Sequence, residues 1–193
     1  MLGVVLCGGQ SMRMGSDKGL LKLHASTWAQ TAVDKIAAVN LQYVLSVNAQ
    51  QQEAYEIFFD KKLLVQDEPL LDLKGPLCGV LSVHLQYPQE DLLVLACDMP
   101  LMEAGLLNEL IAFYRTQQPA ACLFNNDGAP EPLCAIYTAA ALHHIHQLHL
   151  SGKLLRHSMK FMLEQIQVAV LPLPAEKKNC FRNFNAHAEL NGL

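Results

Sequence analysis

Several familiar signatures are missing from this sequence. Its 6 cysteines, at positions 7, 78, 97, 122, 134 and 180, include no C-x-x-C pair, so neither a zinc knuckle nor a thioredoxin-like motif is present. There is no G-x-x-x-x-G-K-[ST] and no G-x-G-x-x-G, which excludes a P-loop and a dinucleotide fingerprint. No apolar run is long enough to span a membrane. Basic excess is absent as well. Against 18 Asp and Glu stand 14 Lys and Arg, a net charge of -4, which argues against a general nucleic-acid binder but permits a local phosphate pocket. No internal repeat or low-complexity linker divides the chain. Most cysteines lie inside apolar runs and behave as small hydrophobes, so a reducing, cytoplasmic setting is expected.

What is present describes a compact protein. With 193 residues, 51% hydrophobic and 17% charged, one domain over 1–193 is expected. Short β-like runs alternate with helical ones, which predicts an α/β fold in three layers around a mostly parallel sheet. Strands are expected at Val4–Cys7, Tyr43–Val47, Leu63–Gln66, Leu92–Cys97, Ala120–Phe124 and Val168–Leu171, with Leu133–Tyr137 as the one antiparallel strand. Thr27-x-x-Gln30 reads as a capping box opening a helix to about Val39. Further helices are expected over Gln50–Phe59, Gly75–Tyr87, Leu106–Tyr114, Ala139–Leu150 and Leu154–Gln165, with Leu70–Lys74 as loop and Asn125–Gly128 as a turn. Gly8, Asn48, Asp67 and Asp98 then each fall just past a strand end. That edge is where open parallel sheets bind ligands.

The residue types at that edge point to phosphate chemistry. Gly8-Gly9 after a strand lets backbone N–H groups approach a ligand closely, and Arg13 and Lys18 follow in the same stretch as natural phosphate partners. Asp98 follows a fully apolar strand and is too far from the next helix to cap it, which suits a hard cation such as Mg²⁺. Asp67 offers two acceptor oxygens, enough for the N1–H and exocyclic amine of guanine, and Asn48 is a second candidate for base or ribose; turn formation is the competing role for both. His143, His146 and His149 recur every third residue, but Leu142, Ile145 and Leu148 form a competing apolar face. A solvated or partner-facing helix is favoured there over a metal site.

The string L-C-G-G-x-S-x-R-M-G-x-D-K-x-L-L, from Leu6 to Leu21, strongly resembles the signature of the molybdenum cofactor guanylyltransferases. Cys97-Asp98-Met99-Pro100-Leu101 is similar to that family's C-D-x-P motif, Gly75-Pro76-Leu77-Cys78-Gly79 to its G-P-L-x-G, and Glu131-Pro132-Leu133 to its x-P-L segment. Asn48-Ala49-Gln50 matches the first two residues of an N-A-N triplet, and Asn183-x-Asn185 resembles a terminal N-x-N. The resemblance implies a Rossmann-like nucleotidyltransferase fold and transfer of GMP from GTP to the terminal phosphate of a molybdopterin-type cofactor, with Mg²⁺ on Asp98. It implies Lys18, Arg13 and Asp98 as catalytic residues. Leu6, Cys7, Gly8, Gly9, Lys18, Asn48, Asp67 and Asp98 would be nucleotide-binding, with Gly75, Gly79, Asn183 and Asn185 as weaker candidates. A molybdoenzyme or its chaperone would be a partner; nucleic acid and membrane would not.

The sequence departs from that family at three points: Cys7 stands in place of the usual Ala, Gln50 in place of Asn, and Ala186-His187-Ala188-Glu189 in place of a T-P-E continuation. Lys153 and Arg156, after Gly152, are candidate contacts for the pterin phosphate. Two rival readings are a sister enzyme using CTP or another phosphate acceptor, whose loop would more often read L-A-A-G, and a non-catalytic nucleotide-binding module.

Overall fold

The structure, a computed structural model, describes residues 1–8, 17–23, 25–182 and 184. Strands β1 (Leu2–Leu6), β4 (Tyr43–Val47), β5 (Leu64–Gln66), β6 (Leu92–Ala96), β7 (Ala121–Asn126), β8 (Ala129–Tyr137) and β9 (Val168–Pro172) form one seven-stranded sheet in the order β5-β4-β1-β6-β8-β7-β9. Two-residue strands β2 (Lys22–Leu23) and β3 (Ser26–Thr27) pair separately. Only β8 runs against its neighbours in the large sheet.

Side chains alternate between the two faces, as strand geometry requires. Val5, Leu45, Leu93, Leu95, Cys122 and Phe124 meet helices α1 (Trp28–Ala38) and α4 (Ala104–Gln117) on one face. Tyr55 of the short α2 (Gln52–Glu56) joins that cluster. Val4, Leu6, Val44, Leu92, Val94 and Leu123 meet α3 (Pro76–Gln86), α5 (Ala139–Leu150) and α6 (Met159–Leu163) on the other. The three expected layers and the single antiparallel strand are therefore present.

Several local expectations are corrected. Thr27 accepts from the N–H of Gln30 at 3.1 Å, but the Gln30 amide turns outward to Asp34 at 2.7 Å, so only half of the capping box forms. The helix expected over Gln50–Phe59 is confined to Gln52–Glu56, because Asn48 and Gln51 spend their side chains on the preceding turn. Pro69–Leu71 is a 3-10 turn rather than plain loop. Strand β8 starts at Ala129, not Leu133. Asp127 and Gly128, at φ 51° and 85°, make a two-residue hairpin turn that pairs Ala129 at once. The helix expected from Leu154 begins only at Met159, where Ser158 accepts from the N–H of Phe161. Leu154 is instead tied by its N–H to the Leu148 carbonyl and buried against that face of the sheet.

From β1 the chain passes through α1 to β4, toward one edge of the sheet, whereas from β6 it passes through α4 to β7, toward the other edge. The crevice between the ends of β1 and β6 is thus the switch point of the sheet, the position at which such folds bind ligands.

Candidate functional site

Parallel pairing brings the expected residues to one edge. The ladders continue one residue past the strands: Cys7 N–H reaches Ser46 O at 3.0 Å, Cys97 N–H reaches Leu6 O at 3.1 Å, and Asp67 N–H reaches Val47 O at 2.9 Å. Gly8, Asn48, Asp67 and Asp98 are therefore held at neighbouring strand ends. A cavity of about 470 Å³ opens there, lined by Leu6, Gly8, Asn48, Asp67, Gly75 and Gly79, together with Ser46, Ala49, Gln50, Leu73, Lys74 and Pro76. That volume lies within the range of small-molecule sites.

Each wall has a local cause. Gly75, at φ 74°, occupies backbone space that other residues rarely adopt, and Pro76 then starts α3. A Cβ on Gly79 would stand 2.3 Å from Ser46 Oγ, so glycine allows α3 to lie directly on β4 and β1. Asn48 Oδ1 accepts from the N–H groups of Gln50 and Gln51 at 2.9 and 3.1 Å. Turn formation thus uses its acceptor, and its amide N–H donors are what it can offer a ligand. Asp67 Oδ1 is buried with no hydrogen-bond partner among the described residues, and burial pushes its carboxyl up to about 6.

Beside this cavity, across the switch point, Lys18 Nζ stands 3.5 Å from Asp98 Oδ2. Asp98 Oδ1 is buried without a partner among the described residues. Burial raises the Asp98 carboxyl, and the Lys18 charge pulls it back down. Neither residue lines the cavity itself. Cys7 does not line it either. Its thiol is buried, 3.8 Å from the Val5 carbonyl, and what it contributes is its own carbonyl, which accepts from Gln51 Nε2 at 2.9 Å.

Sequence reasoning missed the network that fixes Lys18. Asp17 caps the 3-10 turn Lys18–Leu20, accepting from Gly19 N–H and from Tyr55 O–H, each at 2.8 Å, and from the Gln51 amide. Gln51 also accepts from Asn48 N–H at 2.9 Å, so one side chain joins the ends of β1 and β4 to the lysine turn. Lys35 of α1 donates to the Pro100 carbonyl just beyond Asp98, and burial draws its pKa down to about 8. The D-K pair hinted at Asp17; nothing local marks Gln51, Tyr55 or Lys35.

Gly9, Arg13, Asn183 and Asn185 lie outside the described residues. Phe184, between the two asparagines, is buried edge-on to Trp28, and its N–H donates to the Asp98 carbonyl at 3.1 Å. The tail thus reaches the loop that carries Asp98. On α5, exposed His143 meets buried His84 with ring centroids 6.5 Å apart, and His149 Nε2 lies 2.6 Å from the Leu71 carbonyl. Among the described residues no group of three or more His, Cys, Asp or Glu could hold a metal ion, and no helix is long and apolar enough to cross a membrane. A cation shared with a ligand's phosphates needs only one or two carboxylates.

A cavity with Asp67 in its wall, and beside it the Asp98–Lys18 pair at the switch point, stand at the carboxyl edge of a doubly wound sheet, where such folds bind ligands. The chain belongs to the MobA-like NTP transferase domain family, whose model matches residues 3–168. The molybdenum cofactor biosynthesis bifunctional protein of Synechocystis sp. is 34% identical over 143 residues, 74% of this chain and 40% of that protein, so this chain spans well under half of it. A probable molybdenum cofactor guanylyltransferase of Flavobacterium johnsoniae is 29% identical over 189 residues, 98% of this chain and 94% of that protein. Among solved structures, molybdopterin-guanine dinucleotide biosynthesis protein A from Archaeoglobus fulgidus has the same fold, with a TM-score of 0.79 at 23% identity, covering 99% of this chain and 95% of that one.

Proposed function

We propose that this protein transfers GMP from GTP to the terminal phosphate of a molybdopterin-type cofactor, releasing pyrophosphate. The observation that carries the reading is Asp67, half-buried in the cavity wall with its Oδ1 unpartnered among the described residues, because an acceptor-only carboxylate matches guanine's paired N1–H and amino donors. The base would lie against Asp67, Gly75 and Gly79, with Asn48 donating to the nucleoside. The triphosphate would run past Gly8 to Lys18, and outside the described residues to Gly9 and Arg13.

Transfer requires no protein nucleophile. An oxygen of the acceptor's phosphate attacks the α-phosphorus of GTP, the bond from that phosphorus to the β-phosphate's bridging oxygen breaks, and pyrophosphate leaves. The chain's contribution is positioning and charge neutralisation. Lys18 holds the departing phosphates, and the network of Asp17, Gln51 and Tyr55 keeps Lys18 aimed. Asp98 would hold Mg²⁺: its buried Oδ1 lacks a donor among the described residues, which fits a hard, oxygen-seeking cation. When bound, that ion supplies positive charge to the reacting phosphates. Lys153 and Arg156, both exposed in the segment after α5, are the proposed contacts for the acceptor's phosphate. All six cysteines are free thiols, which supports a reducing, cytoplasmic setting.

Asp67 gives the test. Its raised carboxyl must ionise to accept both guanine donors, so GTP affinity should fall as pH drops below about 6. In the free protein the sign is opposite. Between the ordinary 3.8 and about 6 the folded chain keeps a proton that the unfolded chain has lost, so this group's stability contribution, full below 3.8, is lost as pH rises through about 6. Asp67→Asn should therefore melt higher than wild type at pH 7, with the gap closing near pH 4, while binding GTP about 10²-fold more weakly because one guanine donor goes unmatched. Unchanged GTP affinity in that variant, by calorimetric titration, would remove Asp67 from base recognition.

A further inference from the structure

The segment between β5 and α3 is shaped against its own backbone preferences. Glu68 caps the turn Pro69–Leu71, accepting from Leu70 N–H at 3.0 Å. Asp72 then enters the left-handed region at φ 46°, ψ 38°, and Gly75 follows at φ 74°. Between those two bends lie Leu73 and Lys74, both lining the cavity. A non-glycine residue in the left-handed region costs free energy and persists only where its surroundings dictate it.

Three contacts do so here. Leu71 and Leu73 bury their side chains at 3% and 8% exposure, and the Asp72 N–H closes onto the Pro69 carbonyl at 3.2 Å. The third contact is polar and comes from 78 residues away: His149 Nε2 meets the Leu71 carbonyl at 2.6 Å. A carbonyl oxygen only accepts, so Nε2 must carry the proton. The side chain adds little to the hydrophobic core. Leu142 and Ile145 anchor α5, whereas the His149 ring is partly exposed and meets the His157 ring at 5.5 Å. Its bond is spent on the main chain of the cavity wall.

We propose that His149 is a positioning residue for nucleotide binding, holding the wall Leu73–Gly75 in its bent form through the Leu71 carbonyl. The inference rests on the reading of this cavity as the nucleotide site. A group acting this way shapes the binding surface without touching the reacting phosphates, so its loss raises KM for GTP and leaves kcat in place.

The experiment compares His149→Gln, whose amide N–H reaches about as far as Nε2, with His149→Phe, which keeps the ring volume and lacks the donor. The full chain is titrated with N-methylanthraniloyl-GTP and assayed for turnover. His149→Phe should raise Kd and KM about tenfold with kcat within about twofold of wild type, and His149→Gln should stay within about threefold in Kd. Setting the two variants against each other cancels any general loss of stability. His149→Phe binding like wild type, or His149→Gln binding as weakly as His149→Phe, overturns the proposal. A wild-type protein that fails to bind the analogue would overturn the nucleotide reading itself, and this inference with it.

Discussion

Asp98→Asn should lower kcat by about 10³-fold and leave the melting temperature at or above that of wild type. The substitution keeps the shape and replaces one carboxylate oxygen with an amide. Asp98 stands at the end of a fully buried strand, with one oxygen dry and the other 3.5 Å from Lys18. Burial raises its carboxyl, which means that the fold disfavours the charged form. Removing the carboxyl should therefore relieve the fold, and with it the proposed cation binding should be lost. Single-turnover pyrophosphate release and thermal unfolding measure the two halves. Full activity in this variant would show that the metal is held elsewhere.

If Lys18 acts on the departing phosphates as proposed, Lys18→Met should cost about 10² to 10³-fold in kcat, with a smaller change in KM. The lysine is not a loose surface cation. Its turn is capped by Asp17, and Asp17 is itself held by Gly19, Tyr55 and Gln51. Lys18→Arg should recover only part of the loss, since a planar fork does not occupy the place of a compact ammonium. Inhibition by added pyrophosphate should weaken together with kcat. A Lys18→Met enzyme with wild-type kcat and a raised KM would assign the residue to ground-state binding instead.

Much of the sheet could be read from the chain because its central strands β1 and β6 are buried on both sides. Val4–Cys7 and Leu92–Cys97 are continuous apolar runs, and the residue that follows each, Gly8 or Asp98, marks the ligand edge directly. Where the reading failed, local signals competed. Pro130 and Pro132 argue against a strand, yet β8 begins at Ala129 because the Asp127-Gly128 turn fixes the hairpin register. The apolar spacing after Leu154 imitates a helix, but Leu154 itself is drawn into the core in a non-helical segment. In the site, Gly8, Asn48, Asp67 and Asp98 were legible because each follows a strand. Gln51, Lys35 and His149 were not, because each acts on a segment that only the fold brings near it. Gly79, a weaker candidate from the resemblance, has a packing role within the cavity wall through its close approach to Ser46.

Pyrophosphate release tests the proposed chemistry most directly. The protein is incubated with Mg²⁺, molybdopterin cofactor and, separately, GTP, CTP or ATP. Release with GTP alone, dependent on the acceptor and yielding a guanine dinucleotide, is the expected result. Release with CTP in preference to GTP, or tight GTP binding with no pyrophosphate at all, would contradict it.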